Sequence, residues 1–190
     1  MEKAFDSDWK FLKTAVEDLE NFVLAPQDSW PIAGSARQAG PRDTGRLTIG
    51  NLMLAKARLD AMPVDDPRQK KLQEANLVIE QVRTRWRANW ARKAEKEFKH
   101  RLNLWSNYLH DLLDDTGRHA SGYPDAVRWR LILKLLLDEV DGIDPAAATS
   151  LNGLDRRIQM AGRNGAFVWE PEVEPAFPLP HYWYLYLTFS

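Results

Sequence analysis

Apolar residues recur along the chain at every third or fourth position, and the rhythm stops wherever proline or glycine intervenes. In residues 7–24, Trp9, Leu12, Val16, Leu19 and Val23 share one face of a 3.6-residue helix, and Pro26 ends it. Residues 44–62 carry Leu47, Leu52, Leu54 and Leu59, a less regular stripe interrupted by Gly50, and predict a second helix. Between Pro67 and Asp115 there is no further proline and no glycine, so residues 67–115 predict a third helix about 70 Å long. Its apolar positions, from Leu72 through Trp86, Trp90, Phe98 and Trp105 to Leu112, step mostly by fours. The stripe therefore drifts around the axis. That disfavours a strict two-stranded coiled coil and suits a long helix passing successive partners in a bundle, with a break near Asn89 as the alternative. Residues 124–141, containing "LILKLLL", predict the most buried helix, and 145–161, with Leu151, Leu154 and Ile158, a short fifth one.

The punctuation agrees with this division. Asp66-Pro67 and Asp144-Pro145 each place a carboxylate cap before a proline suited to the first helical position, and Pro124 can serve the same way. Gly117, Gly142 and Gly162 stand where helices are expected to close in the left-handed conformation. Residues 25–45, "APQDSWPIAGSARQAGPRDTG", predict a long loop pinned by Trp30 and Ile32.

From 163 onward the prolines at 171, 175, 178 and 180 forbid regular helix, so 163–190 predicts an extended arm. After Pro180 the residues alternate. Trp183, Leu185, Leu187 and Phe189 would share one face of a strand, and Tyr182, Tyr184, Tyr186 and Thr188 the other. Residues 166–170, "AFVWE", are the expected companion strand of a small hairpin, which must lean on the helices because an isolated hairpin is barely stable. The expected fold is mainly α: one domain over 1–190, an irregular bundle of four or five helices around a long one, sealed by an aromatic, Pro-rich arm packing through Trp183, Leu185, Leu187 and Phe189. Two other homes for the arm are a partner's sheet or groove and a membrane surface. The absence of Lys and Arg from its last thirteen residues argues against the membrane.

Composition changes this picture little. The 190 residues are 44% hydrophobic and 28% charged, as in folded proteins, and the formal net charge of -1 gives no bulk attraction to polyanions. There is no cysteine, which removes disulfides, thiol nucleophiles and thiolate metal sites and fits a cytoplasmic protein. "MEKAFDSDWKFLK" has acids where a leader peptide would be basic. The longest apolar run, 131–137, is far shorter than the roughly 20 residues of a membrane span.

The most suggestive chemistry lies in "RTRWRANWARKAEKEFKHR", residues 83–101, where eight Lys/Arg face two Glu with two tryptophans interleaved. Basic residues with aromatics are the alphabet of single-strand nucleic-acid binding. On a helical wheel Arg85, Arg92, Lys96 and Lys99 form one stripe about 60° wide. Trp86 and Trp90 fall on another face, continuous with the apolar one, so bases cannot easily stack there. The alternative is a solvated face, or one paired with Glu17, Asp18 and Glu20 or with Glu170, Glu172 and Glu174. Glu97 and His100 make a single E-x-x-H pair, where a di-iron bundle needs two and further carboxylates. Ser106, His110 and Asp114 list a triad by type but stand in a row on one helix. Asp111, Asp114 and Asp115 lack the glycine of a calcium loop, and no glycine-rich stretch matches a phosphate-binding pattern. No catalytic residue, cofactor or metal is expected. The expected role is a non-catalytic interaction or structural subunit that presents its long helix and arm to a protein partner or to another copy of itself. The alternative is polyanion or single-stranded nucleic-acid binding through the basic stripe, and an enzyme ranks third.

Overall fold

The computed structural model describes residues 2–32 and 45–189. Expectations placed on 33–44, the middle of the long loop, lie outside the described residues. The first helix, α1 (Glu2–Leu24), begins earlier than its apolar periodicity suggested. Leu12, Ala15, Leu19, Phe22 and Val23 are completely buried, whereas Trp9 and Val16 lie half-buried at the margin. The seam is thus centred one residue's rotation away from the expected stripe. Strands β1 (Trp30–Pro31) and β2 (Arg46–Leu47) pair antiparallel. They bring the two sides of the loop together over the buried Ile32 and Leu47.

Helix α2 (Ile49–Ala61) starts at Thr48, whose side chain accepts from Asn51 N at 3.1 Å. The expected single helix over 67–115 is two helices, α3 (Asp66–Arg85) and α4 (Arg87–Asp114), broken at Trp86, where φ is -117° and ψ 36°. The break falls near the expected alternative at Asn89. Two indole anchors flank it: Trp86 Nε1 donates to Glu20 Oε1 and Trp90 Nε1 to Glu139 Oε2, each at 2.8 Å. Broken, α3 packs on α1 while α4 runs along α6 (Tyr123–Leu136) and α7 (Pro145–Ala161).

Between α4 and α6 lie a short helix, α5 (Thr116–His119), and a 3-10 turn, Ala120–Gly122. Gly117 therefore sits inside α5 and does not close a helix. The Asp115 carboxylate starts α5 by accepting from Arg118 N at 3.1 Å. Helix α6 buries Leu131, Ile132, Leu133 and Leu136 completely and stops well before the expected residue 141. Glu139 is drawn away to Trp90 and to Arg83, which it meets at 2.9 Å. Helix α7 has the expected bounds, with the Asp144 carboxylate accepting from Ala146 N at 2.9 Å. Gly162 ends it in an extended conformation, not a left-handed one. Space is tight there: a Cβ would lie 3.1 Å from both Leu187 Cδ1 and Phe189 Cζ, which would have to give by a few tenths of an ångström.

The arm departs most from the alternating strand. Its prolines produce a 3-10 segment over Pro171–Ala176, one turn of α8 (Leu179–Tyr182) and another 3-10 turn over Trp183–Tyr186. Only β4 (Leu187–Thr188) is strand, pairing antiparallel with β3 (Arg163–Asn164). The hairpin's register is thus shifted from the expected 166–170, from which Val168 N donates to Leu185 O at 3.0 Å. Because a 3-10 turn does not have period two, Tyr184 and Leu185 are both buried. Leu187 is buried too, and Trp183 and Phe189 pack half-buried against the core. One apolar cluster joins α1 to α4, α6, α7 and the arm. Arg58 adds a polar clasp: its Nε donates to Asp8 Oδ2 at 2.7 Å, its Nη2 to Glu170 Oε2 at 3.3 Å, and its guanidinium lies 5.8 Å from the Trp169 ring.

Candidate functional site

The basic stripe is placed on α4 and the last turn of α3, and its four cations are exposed. Three of them meet acids of the same chain. Arg85 pairs with Glu20 at 3.3 Å, Lys96 with Asp28 at 3.2 Å and Lys99 with Glu95 at 2.8 Å. The Glu95 carboxylate beside Lys99 holds that amine above its ordinary value. Arg92 has no ion pair among the described residues. Trp86 and Trp90 bond to Glu20 and Glu139; Trp90 is buried, and the half-buried Trp86 ring is met by the Arg85 guanidinium, 5.3 Å from its centroid.

Glu97 and His100 part company. His100 is exposed, whereas Glu97 is buried at the start of α2. Its Oε1 accepts from Thr48 Oγ1 at 2.7 Å and from Arg101 Nη2 at 3.0 Å, and its Oε2 from Gly50 N at 2.8 Å. The carboxylate thus serves as a tertiary cap on the positive end of α2's dipole. Arg101 offsets its charge, and Asn51 accepts from that guanidinium at 3.4 Å. A buried pair so surrounded can recover its desolvation cost. No group of three or more His, Asp or Glu side chains among the described residues could hold a metal ion. Ser106 is half-buried while His110 and Asp114 are exposed along α4, with no hydrogen bond joining them among the described residues. No helix among the described residues is long and apolar enough to cross a membrane.

Sequence reasoning missed a cleft at the other end of α4, where the arm meets α5 and α6. One wall is made by Ala120, Ser121, Tyr123 and Pro124. The other is made by Ala166, Val168, Leu187, Thr188 and Phe189. The space is about 390 Å³ and open to solvent. Tyr123 and Leu187 are buried and form its floor, with the Tyr123 ring 4.7 Å from that of Phe189. Ser121, Ala166 and Thr188 are exposed on the rim.

Hydrogen bonds hold both walls. Tyr108 OH donates to His119 O at 2.9 Å, which fixes the turn leading into the first wall, and burial pushes the Tyr108 phenol up to about 12. Trp169 Nε1 donates to Pro124 O at 2.7 Å, tying the two walls together. Tyr123 OH donates to Tyr184 O at 2.6 Å, and burial pushes its phenol well above the ordinary value. Below them, Arg130 is held to Asp155 by two bonds at 2.7 and 2.6 Å and lies 4.5 Å from the Tyr184 ring.

Of the residues lining the cleft, only Ser121, Thr188 and Tyr123 carry polar side chains, and Tyr123 is already committed. None of these groups changes protonation near neutral pH, so the lining supplies apolar contact, two hydroxyls and backbone groups. The sequence held part of the signal. Leu187 and Phe189 are expected packing residues and 166–170 an expected strand, but nothing local to "SGYPDAV" announces that it faces them. No protein-family model, curated protein or solved structure matches this chain.

Proposed function

We propose that this protein is a non-catalytic interaction module that receives an apolar segment of a protein partner in the cleft between Tyr123 and Phe189. The observation that carries the proposal is the cleft itself: about 390 Å³, apolar in floor and walls, open, and lined without an acid, a base or an activated nucleophile. Its volume lies toward the small end of the roughly 300–1,000 Å³ common for ligand sites, which suits a few side chains. The hydrogen bonds from Tyr108, Tyr123 and Trp169 support the same reading, because a preformed wall reduces the ordering cost of binding. Most large aromatics of the arm pack against the core, and what the arm offers a partner is the second wall of the cleft, which includes Phe189. The exposed face of α4 offers mainly charges, three of which are already paired within the chain.

The test is a peptide library selected against the folded protein. Selected binders are expected to protect the amides of residues 120–124 and 166–168 from hydrogen exchange. They should also lose affinity at least about tenfold when Ser121→Trp fills the opening. Binders that protect the α4 face instead, or that bind the Ser121→Trp variant as well as the parent, would overturn the proposal.

A further inference from the structure

Two polar atoms where the arm sits on the helices have no hydrogen-bond partner among the described residues: Arg130 Nη1 on α6 and Tyr184 OH in the arm. Both residues are cut off from solvent, Arg130 being 7% exposed and Tyr184 1%. They form one stacked pair, with the guanidinium carbon 4.5 Å from the centroid of the Tyr184 ring. Arg130 gives its Nε and Nη2 edge to Asp155, so the two N–H groups of Nη1 are left on the other side of the fork. The ring face attracts the charge but is a weak acceptor beside an oxygen, and it offers the hydroxyl nothing. A buried donor left unmade costs more than a typical made bond returns, and buried polar groups are regularly satisfied. Two such atoms on one stacked pair therefore call for a common partner.

We infer that one internal water molecule is bound between Arg130 Nη1 and Tyr184 OH, as a permanent part of the arm's attachment to α6 and α7. Its oxygen accepts from Nη1, and the phenol makes its second bond. Charge selects water over an anion. Arg130 is already neutralised by Asp155, and burial holds the Tyr184 phenol well above its ordinary value, so it remains an uncharged O–H. A neutral site that combines donors with a hydroxyl suits a small molecule able both to accept and to donate. The water completes a chain from Asp155 on α7 through Arg130 on α6 to Tyr184, whose carbonyl accepts from Tyr123 at the floor of the cleft. Arg130, Asp155 and Tyr184 do not line the cleft, so the inference stands apart from the docking reading above.

Two measurements on the full chain test it. The first is a crystal structure at a resolution that shows ordered water, before and after soaking in bromide. A single peak is expected within about 3.2 Å of both Nη1 and the hydroxyl oxygen, with no anomalous signal after the soak. No peak at that place, or a bromide ion in it, would overturn the inference. The second is thermal unfolding of Tyr184→Phe, which keeps the ring and its stacking on Arg130 and removes only the hydroxyl. A bridged hydroxyl contributes stability, so its loss is expected to lower the midpoint by about 2–4 °C. An unpartnered hydroxyl is a liability instead, so a midpoint that stays the same or rises would overturn the inference as well.

Discussion

A Cβ placed on Gly50 would sit 2.3 Å from Ile132 Cγ2 and 2.7 Å from Glu97 Oε1, closer than any side chain can tolerate. Read along the sequence, this glycine only interrupts the stripe of the second helix. In the fold it lets α2 approach α6 and lets its own N–H reach Glu97 Oε2. Gly50→Ala is therefore expected to lower unfolding free energy by at least about 2 kcal/mol, through overpacking and a displaced carboxylate. Urea denaturation measures this, and a shift within error of zero would mean that the α2–α6 contact relaxes freely. The sequence gives no hint of the requirement, because what constrains Gly50 lies 47 and 82 positions away, at Glu97 and Ile132. The E-x-x-H pattern failed for a related reason. Glu97 and His100 lie close in the chain, but Glu97 is directed at Thr48 and the start of α2 and His100 at solvent.

At the scale of elements, legibility depended on how local the cause was. Helix α7 has the bounds expected from Asp144-Pro145 and its apolar spacing, since cap and stripe are written in adjacent residues. The absence of proline and glycine from residues 68–115 favours one continuous third helix, with a break near Asn89 as the alternative. At the break the indoles of Trp86 and Trp90 bond to Glu20 and Glu139, residues far off in the chain that no local pattern announces. The arm was legible as a greasy segment that packs on the helices, but not in its geometry. Prolines spaced for turns replaced the period of two, so Tyr184 joined Leu185 inside. Leu185 is completely buried, and Leu185→Ala is expected to cost about 2–5 kcal/mol. If chemical denaturation shows the variant as stable as the parent, the arm does not seal the core.

For the whole molecule, near-zero net charge means that electrostatic behaviour depends on distribution, and folding redistributes it. Had Arg85, Arg92, Lys96 and Lys99 all been free to neutralise phosphates, binding of a single-stranded oligonucleotide would fall with salt at a log–log slope of about -3. With three of the four paired to Glu20, Asp28 and Glu95, the expected slope from this stripe is no steeper than about -1. Fluorescence titration across a salt series reads it directly, and a slope near -3 would return the stripe to the centre of any account of function. The sequence could not reveal which of the four are paired, because pairing is a property of the assembled surface. The Arg58 clasp joins Asp8 to Glu170, residues from distant parts of the chain, and the cleft itself needs residues 187–189. A chain emerging from the ribosome can therefore coil its early helices long before the second wall of the cleft exists, and the space between Tyr123 and Phe189 closes only once the arm has come back across α6.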